Sequence, residues 1–274
     1  MTAPEAVEQG RRVELPSTKP PGTARQGFGQ TLRLDRWSLQ PMIIGLVFTG
    51  FIIWSLVSAL LLTPYFGFEY EVDGYLSPFF SPLIVLPALP AWFSPAILIL
   101  WIPLGFRTTC YYYRKSYYRS FFADPPACAV GEPSVHKRFR METAFPFILQ
   151  NLHRYFLYLA FIPLVFLWLD AAISLRHDDH WRIGFGVVLL TVNAAFLTGY
   201  SLSCHSLRHL IGGSLDCFSC TKARKTRHSL WQRATGLNSR HAFWAWASLA
   251  SVVAADVYVR LLDLEVITDI AVTF

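Results

Sequence analysis

Cysteine and histidine side chains crowd one stretch of this chain, residues 204–220, CHSLRHLIGGSLDCFSC. It holds three of the five cysteines and two of the eight histidines in 274 residues. His205 and His209 are spaced i, i+4, so a helix running through them would present both imidazoles on one face. Gly212 and Gly213 would end that helix and turn the chain back. Cys217 and Cys220 then supply a CxxC pair, a spacing at which two thiolates can grip one metal ion. Two imidazoles and two thiolates complete a tetrahedral set, with Cys204 as a competing ligand in a Cys204, His209, Cys217, Cys220 alternative. Three readings stay open: mononuclear Zn²⁺, a [2Fe–2S] centre with two His on one iron and two Cys on the other, or no metal. Cys110 and Cys128 stand apart in sequence and read as structural or free thiols.

A second group lies at membrane depth, where ionisable side chains are costly and usually face a bundle interior. His153, Arg154 and Tyr155 could hydrogen-bond a quinone carbonyl and exchange its proton. The competing reading has Arg154 snorkelling to lipid phosphate and His153 bonding a neighbouring helix. Asp256 and Arg260, again i, i+4, are expected to pair with each other. Haem is disfavoured: the first two apolar segments contain no histidine, so ligands for two haems are lacking.

The elements that must position these groups are membrane helices. Hydrophobic residues make up 53% and charged residues 15%, which excludes an ordinary soluble domain. The 22 Phe, 12 Tyr and 9 Trp suit lipid-facing surfaces and interfacial belts. Spans are expected at 42–62, 95–118, 146–168, 183–210 and 241–262, making an all-α integral membrane protein of five helices. Residues 1–40 read as a Pro- and Arg-containing arm, 41–264 as the membrane domain, and 265–274 as a short tail. Segment 63–94, without Lys or Arg and broken by prolines, reads as a surface-lying or re-entrant loop. Segments 1–40, 107–145 and 205–240 each carry six or seven Lys or Arg, while 63–94 and the residues after 262 carry none. The positive-inside rule therefore places the N-terminus in the cytoplasm, the C-terminus outside and the 204–220 cluster on the cytoplasmic face. The basic residues, including HKRFR at 136–140, are read as topology signals and a docking surface, with no nucleic acid as partner.

With five spans, basic cytoplasmic loops and CHSLRH…CFSC at the end of the fourth helix, the chain resembles the membrane anchors of actinobacterial (mycobacterial) succinate dehydrogenases. The resemblance implies a bacterial plasma-membrane protein that binds a flavoprotein (FAD) subunit and an iron–sulfur subunit on its cytoplasmic face. It implies electron transfer from succinate to menaquinone, with a Rieske-type [2Fe–2S] cluster in place of haem. His205, His209, Cys217 and Cys220 would be its ligands. The chain itself would not oxidise succinate; neither a nucleotide-binding glycine motif nor a catalytic triad is evident in it. The rival expectation is a membrane scaffold or receptor whose cytoplasmic loop is fixed by zinc. A transporter, motivated by Asn193, Asp256 and Arg260, is disfavoured because no internal repeat is evident.

Overall fold

The computed structural model describes residues 27–88, 90, 92–126, 143, 145, 147–177 and 180–274. Most of the N-terminal arm, Cys128 and the basic run at 136–140 lie outside the described residues. Among the described residues, four helices are long and apolar enough to cross a membrane: Leu39–Phe66, Ile148–Ile173, Phe185–Leu202 and His241–Asp263.

The first comprises α1 (Leu39–Val57), a π-helical turn (Ser58–Leu62) and α2 (Thr63–Phe66), closed by Gly67 in the left-handed region. The wide turn frees carbonyls for side chains, and Arg260 and Ser94 take those of Ser58 and Ala59. Residues 71–76 then form a tight hairpin of β1 (Glu71–Val72) and β2 (Tyr75–Leu76). Its corner, Asp73-Gly74, has both φ values positive, the backbone that Asp-Gly supplies in a two-residue hairpin loop. Part of this loop folds inward, while Ile84, Val85, Leu86 and Trp92 stay exposed. Tyr75, Ser77, Phe79, Phe80 and Ser81 are buried in the end of the bundle.

The second expected span is a broken helix. Segment α3 (Ile97–Thr108) has 12 residues and rises about 18 Å, too little for about 30 Å of hydrocarbon. The chain breaks at Thr109–Cys110 and resumes as α4 (Tyr111–Phe121). The latter packs along the first half of α1, with Phe48 stacked on Tyr113 at 4.3 Å and Gly45 against Tyr117 and Ser120.

Helix α5 (His153–Ile173) follows a 3-10 turn (Phe147–Leu152). A hairpin of β3 (Arg176–His177) and β4 (His180–Gly184) leads into α6 (Phe185–Leu202). The expected fourth span, 183–210, is also broken: Ser203–Cys204 separate α6 from α7 (His205–Gly212). Then come α8 (Lys222–Asn238), capped by the Thr221 hydroxyl, and α9 (His241–Asp263). Asn193, fully buried in α6, accepts from Ser251 of α9, an ordinary interhelical bond. At Gly199 the ring of Trp244 lies where any Cβ would stand, so α6 and α9 approach closely there.

The tail forms β5 (Ala271–Thr273), antiparallel to β4. Tyr75 and Tyr258 donate their hydroxyls to Asp269, and the Gly186 amide adds a third bond. Burial raises the Asp269 carboxyl, but these hydrogen bonds outweigh it and hold it below its ordinary value. A depressed carboxylate stabilises the fold above the unfolded-state pKa and loses that contribution as pH falls through the folded one. Hydrogen exchange at Ala271–Thr273, measured as protection relative to the free-amide rate, is therefore expected to stay slow at neutral and mildly acidic pH, losing protection only below about pH 4. Asp269→Asn should quicken it at neutral pH; unchanged protection would show that the latch is not this carboxylate.

Candidate metal centre between two helix breaks

Both broken helices fail at a cysteine. Cys110 and Cys204 have extended backbone, with ψ of 129° and 135°, and each is the residue before a new helix. Both are free thiols, 3% and 1% exposed. Opposite them, His153 opens α5 and His241 opens α9. His153 Nε2 lies 3.2 Å from Cys204 Sγ, and His241 Nε2 lies 3.4 Å from Cys110 Sγ. Each imidazole is held at its other nitrogen by a hydroxyl beside the opposite cysteine. Thr109 Oγ1 is 2.9 Å from His153 Nδ1, and Ser203 Oγ is 2.8 Å from His241 Nδ1. Such bonds fix a ring's orientation and leave Nε2 pointing at the thiol.

The arrangement is built twice. Phe106, Thr109 and Cys110 match Tyr200, Ser203 and Cys204: an aromatic, two residues, a hydroxyl, then cysteine. Phe106 stacks on His153 at 4.9 Å and Tyr200 on His241 at 5.2 Å, and the two aromatic rings meet edge to face at 5.3 Å. The carbonyls released at the breaks find partners: Tyr117 donates to Thr108 O, and Asn238 Nδ2 to Ser203 O at 2.8 Å. Buried backbone groups at membrane depth require this.

The set expected from sequence is not gathered. Because α6 stops at Leu202, α7 is redirected and carries His205 and His209 to exposed positions. His209 Nδ1 accepts from Arg154 Nη2 at 3.0 Å. Cys217 and Cys220 are joined as a disulfide in the loop before α8, with Cα atoms 5.8 Å apart. Of the expected ligands, only Cys204 turns inward. The quinone trio is likewise split, since consecutive helical residues point about 100° apart. His153 faces the interior, while Arg154 and Tyr155 are exposed on the outside of α5. Asp256 and Arg260 do pair, Nε to Oδ1 at 3.6 Å. Cys110 is the free thiol expected of it, and neither it nor His241 stood in the ligand sets expected from sequence. The repeated aromatic-x-x-hydroxyl-Cys spacing was the signal that could have found them.

By type, two buried thiols and two oriented imidazoles suit a His₂Cys₂ metal group. The Tyr200 hydroxyl is buried beside the Cys110 thiol. Among the described residues no three His, Cys, Asp or Glu side chains close on one point, so the four stand as two Cys–His pairs. An apolar cavity adjoins them, running between α1, α3, α5, α6 and α9, with Arg107, Tyr200 and Ser201 among its polar lining.

Membrane-length helices converging on buried Cys–His pairs, with a basic helical hairpin at one end, define a multi-pass membrane protein with an internal Cys–His site. The chain belongs to the actinobacterial succinate dehydrogenase subunit SdhC family, whose model matches residues 39–265. It is thus the membrane subunit of a succinate dehydrogenase, an oxidoreductase, and a multi-pass plasma-membrane protein. It is similar to a chain of the Mycobacterium smegmatis Sdh1 complex in the apo form. The two share 36% sequence identity and a TM-score of 0.75, over 90% of this chain and 95% of that one. No curated protein matches.

Proposed function

We propose that this protein carries electrons from an iron–sulfur partner to membrane menaquinone through a Rieske-type [2Fe–2S] centre held by Cys110, Cys204, His153 and His241. The observation that carries the reading is the crossed pair of Cys–His contacts at the two helix breaks. When bound, such a centre takes up and releases one electron at a time. The chain's own residues supply the rest. Thr109 and Ser203 set the imidazole tautomers, Phe106 and Tyr200 cover the histidines against water, and the apolar cavity offers room beside them for a quinone.

Five crossings, with α3 and α4 together as the second, put the start of α1 and the end of α9 on opposite faces. The basic α8, with Lys222, Arg224, Lys225, Arg227 and Arg233, then faces the cytoplasm, where the flavoprotein and iron–sulfur subunits would dock. A zinc-stabilised scaffold remains the second reading, because His₂Cys₂ is also a structural zinc set. Low-temperature EPR on the reduced, purified complex decides, with iron, zinc and acid-labile sulfide assayed on the same sample. A His-ligated [2Fe–2S] signal, beyond those of the soluble subunits and lost with this one, supports electron transfer. Zinc in its place would sink that reading.

A further inference from the structure

Arg107 is a cation set into this centre, and no carboxylate answers its charge among the described residues. It is 2% exposed at the end of α3, three residues before Cys110. Its donors reach only neutral oxygens: Nη1 the Tyr113 hydroxyl and the Ala245 carbonyl at 3.3 Å each, and Nη2 the Ser248 hydroxyl at 2.9 Å. Below it lie the rings of Tyr200 at 4.7 Å and Phe51 at 5.4 Å. The buried acids of the spans lie toward the other end of the bundle and are engaged there, Asp256 with Arg260, Trp54, Ser58 and Ser77, and Asp170 with Ser81. A buried guanidinium without a carboxylate is expensive, and in a membrane such a charge is kept for a purpose. The packing says where that charge acts. Tyr200 carries the guanidinium on one side and contacts the His241 ring, while Ala245 and Ser248 lie on α9, which His241 opens.

We propose that Arg107 is the fixed counter-charge of the redox centre: it favours the reduced state and so raises the centre's reduction potential. The inference rests on the electron-transfer reading above. Reduction adds one electron, delivered by the partner's iron–sulfur chain and passed on to quinone, and hence one negative charge. A positive charge held in a low-dielectric interior stabilises that added charge without solvent screening. The guanidinium donates to none of the four ligand atoms. Arg107 is therefore a positioning residue that acts through its field.

The test is an EPR redox titration of the intact complex carrying Arg107→Gln, Arg107→Met or Arg107→Lys, with iron and sulfide content measured alongside. The expected result is full iron content with a midpoint potential shifted to more negative values in Arg107→Gln and Arg107→Met. Arg107→Lys should stay between them and the wild type. Iron retained by Arg107→Lys but lost from both neutral variants would equally show that the site requires the charge. An unmoved potential at full iron content overturns the inference alone. Loss of iron from all three variants also overturns it, because the side chain would then only brace the fold. Absence of the extra iron–sulfur signal from the wild-type complex overturns the electron-transfer reading itself, and this inference with it.

Discussion

Cys110→Ala and Cys204→Ala should each abolish the extra [2Fe–2S] signal and cut succinate-driven quinone reduction to background, while reduction of a soluble artificial acceptor persists. Both thiols are buried, and no other free thiol is found among the described residues to replace them. Removing one leaves its imidazole partner facing an apolar gap, so the loss should be close to complete rather than graded. Thr109→Val and Ser203→Ala touch the same rings one bond further out. They are expected to lower metal retention or quinone reduction by roughly 10–100-fold. Cys217→Ser and Cys220→Ser, by contrast, should leave iron content at the wild-type level, since that pair sits in the loop between α7 and α8. The opposite pattern, iron lost from the 217/220 variants and kept in the 110/204 variants, would return the ligand role to the CxxC loop.

Asp256→Ala is expected to destabilise the protein by about 3–5 kcal/mol, the usual cost of stranding one partner of a buried ion pair. Asp256 is fully buried and accepts from Trp54 Nε1 at 3.0 Å, Ser58 Oγ at 2.7 Å and Ser77 Oγ at 2.6 Å. It therefore ties α9 to the first helix and to the loop folded into the bundle end. Arg260, 4% exposed, completes the tie through Thr63 Oγ1 and Glu69 O. Replacing the carboxylate leaves that guanidinium uncompensated and three donors without an acceptor. The double variant Asp256→Leu, Arg260→Met should recover part of the loss, because it removes the stranded charge as well. Thermal unfolding in detergent measures this. Equal midpoints for wild type and Asp256→Ala would show that the network does not anchor the bundle.

The four membrane-length helices could be read from hydropathy because each is a long uncharged or nearly uncharged run. The i, i+4 pairing of Asp256 with Arg260 was legible for a similar reason, since helical spacing alone brings the two side chains together. The two breaks were not legible. Neither Thr109–Cys110 nor Ser203–Cys204 contains the Gly or Pro that announces a helix end. What ends these helices is tertiary: Tyr117 and Asn238 take the released carbonyls, and the histidines take the hydroxyls. Local cues also pointed away from the buried quartet. His205, His209, Cys217 and Cys220 are close in sequence and far from one purpose in space. Cys110, His153, Cys204 and His241 are spread over more than a hundred residues and meet as two pairs. The basic helix α8 was read as part of a loop, because a polar, charged run carries no apolar periodicity to mark it.

The two breaks also orient the peptide dipoles of the bundle. Helices α4, α7 and α9 all begin at or next to a member of the Cys–His quartet. Each N-terminus carries roughly half a positive elementary charge. The opposing C-termini of α3 and α6 are partly neutralised, their terminal carbonyls being bonded by Tyr117 and Asn238. The centre therefore lies in a positive potential made by the main chain itself, buried where added salt does not reach. That potential offsets part of what burial costs a thiolate. Because it comes from peptide units, a single side-chain substitution can tune it but not reverse it.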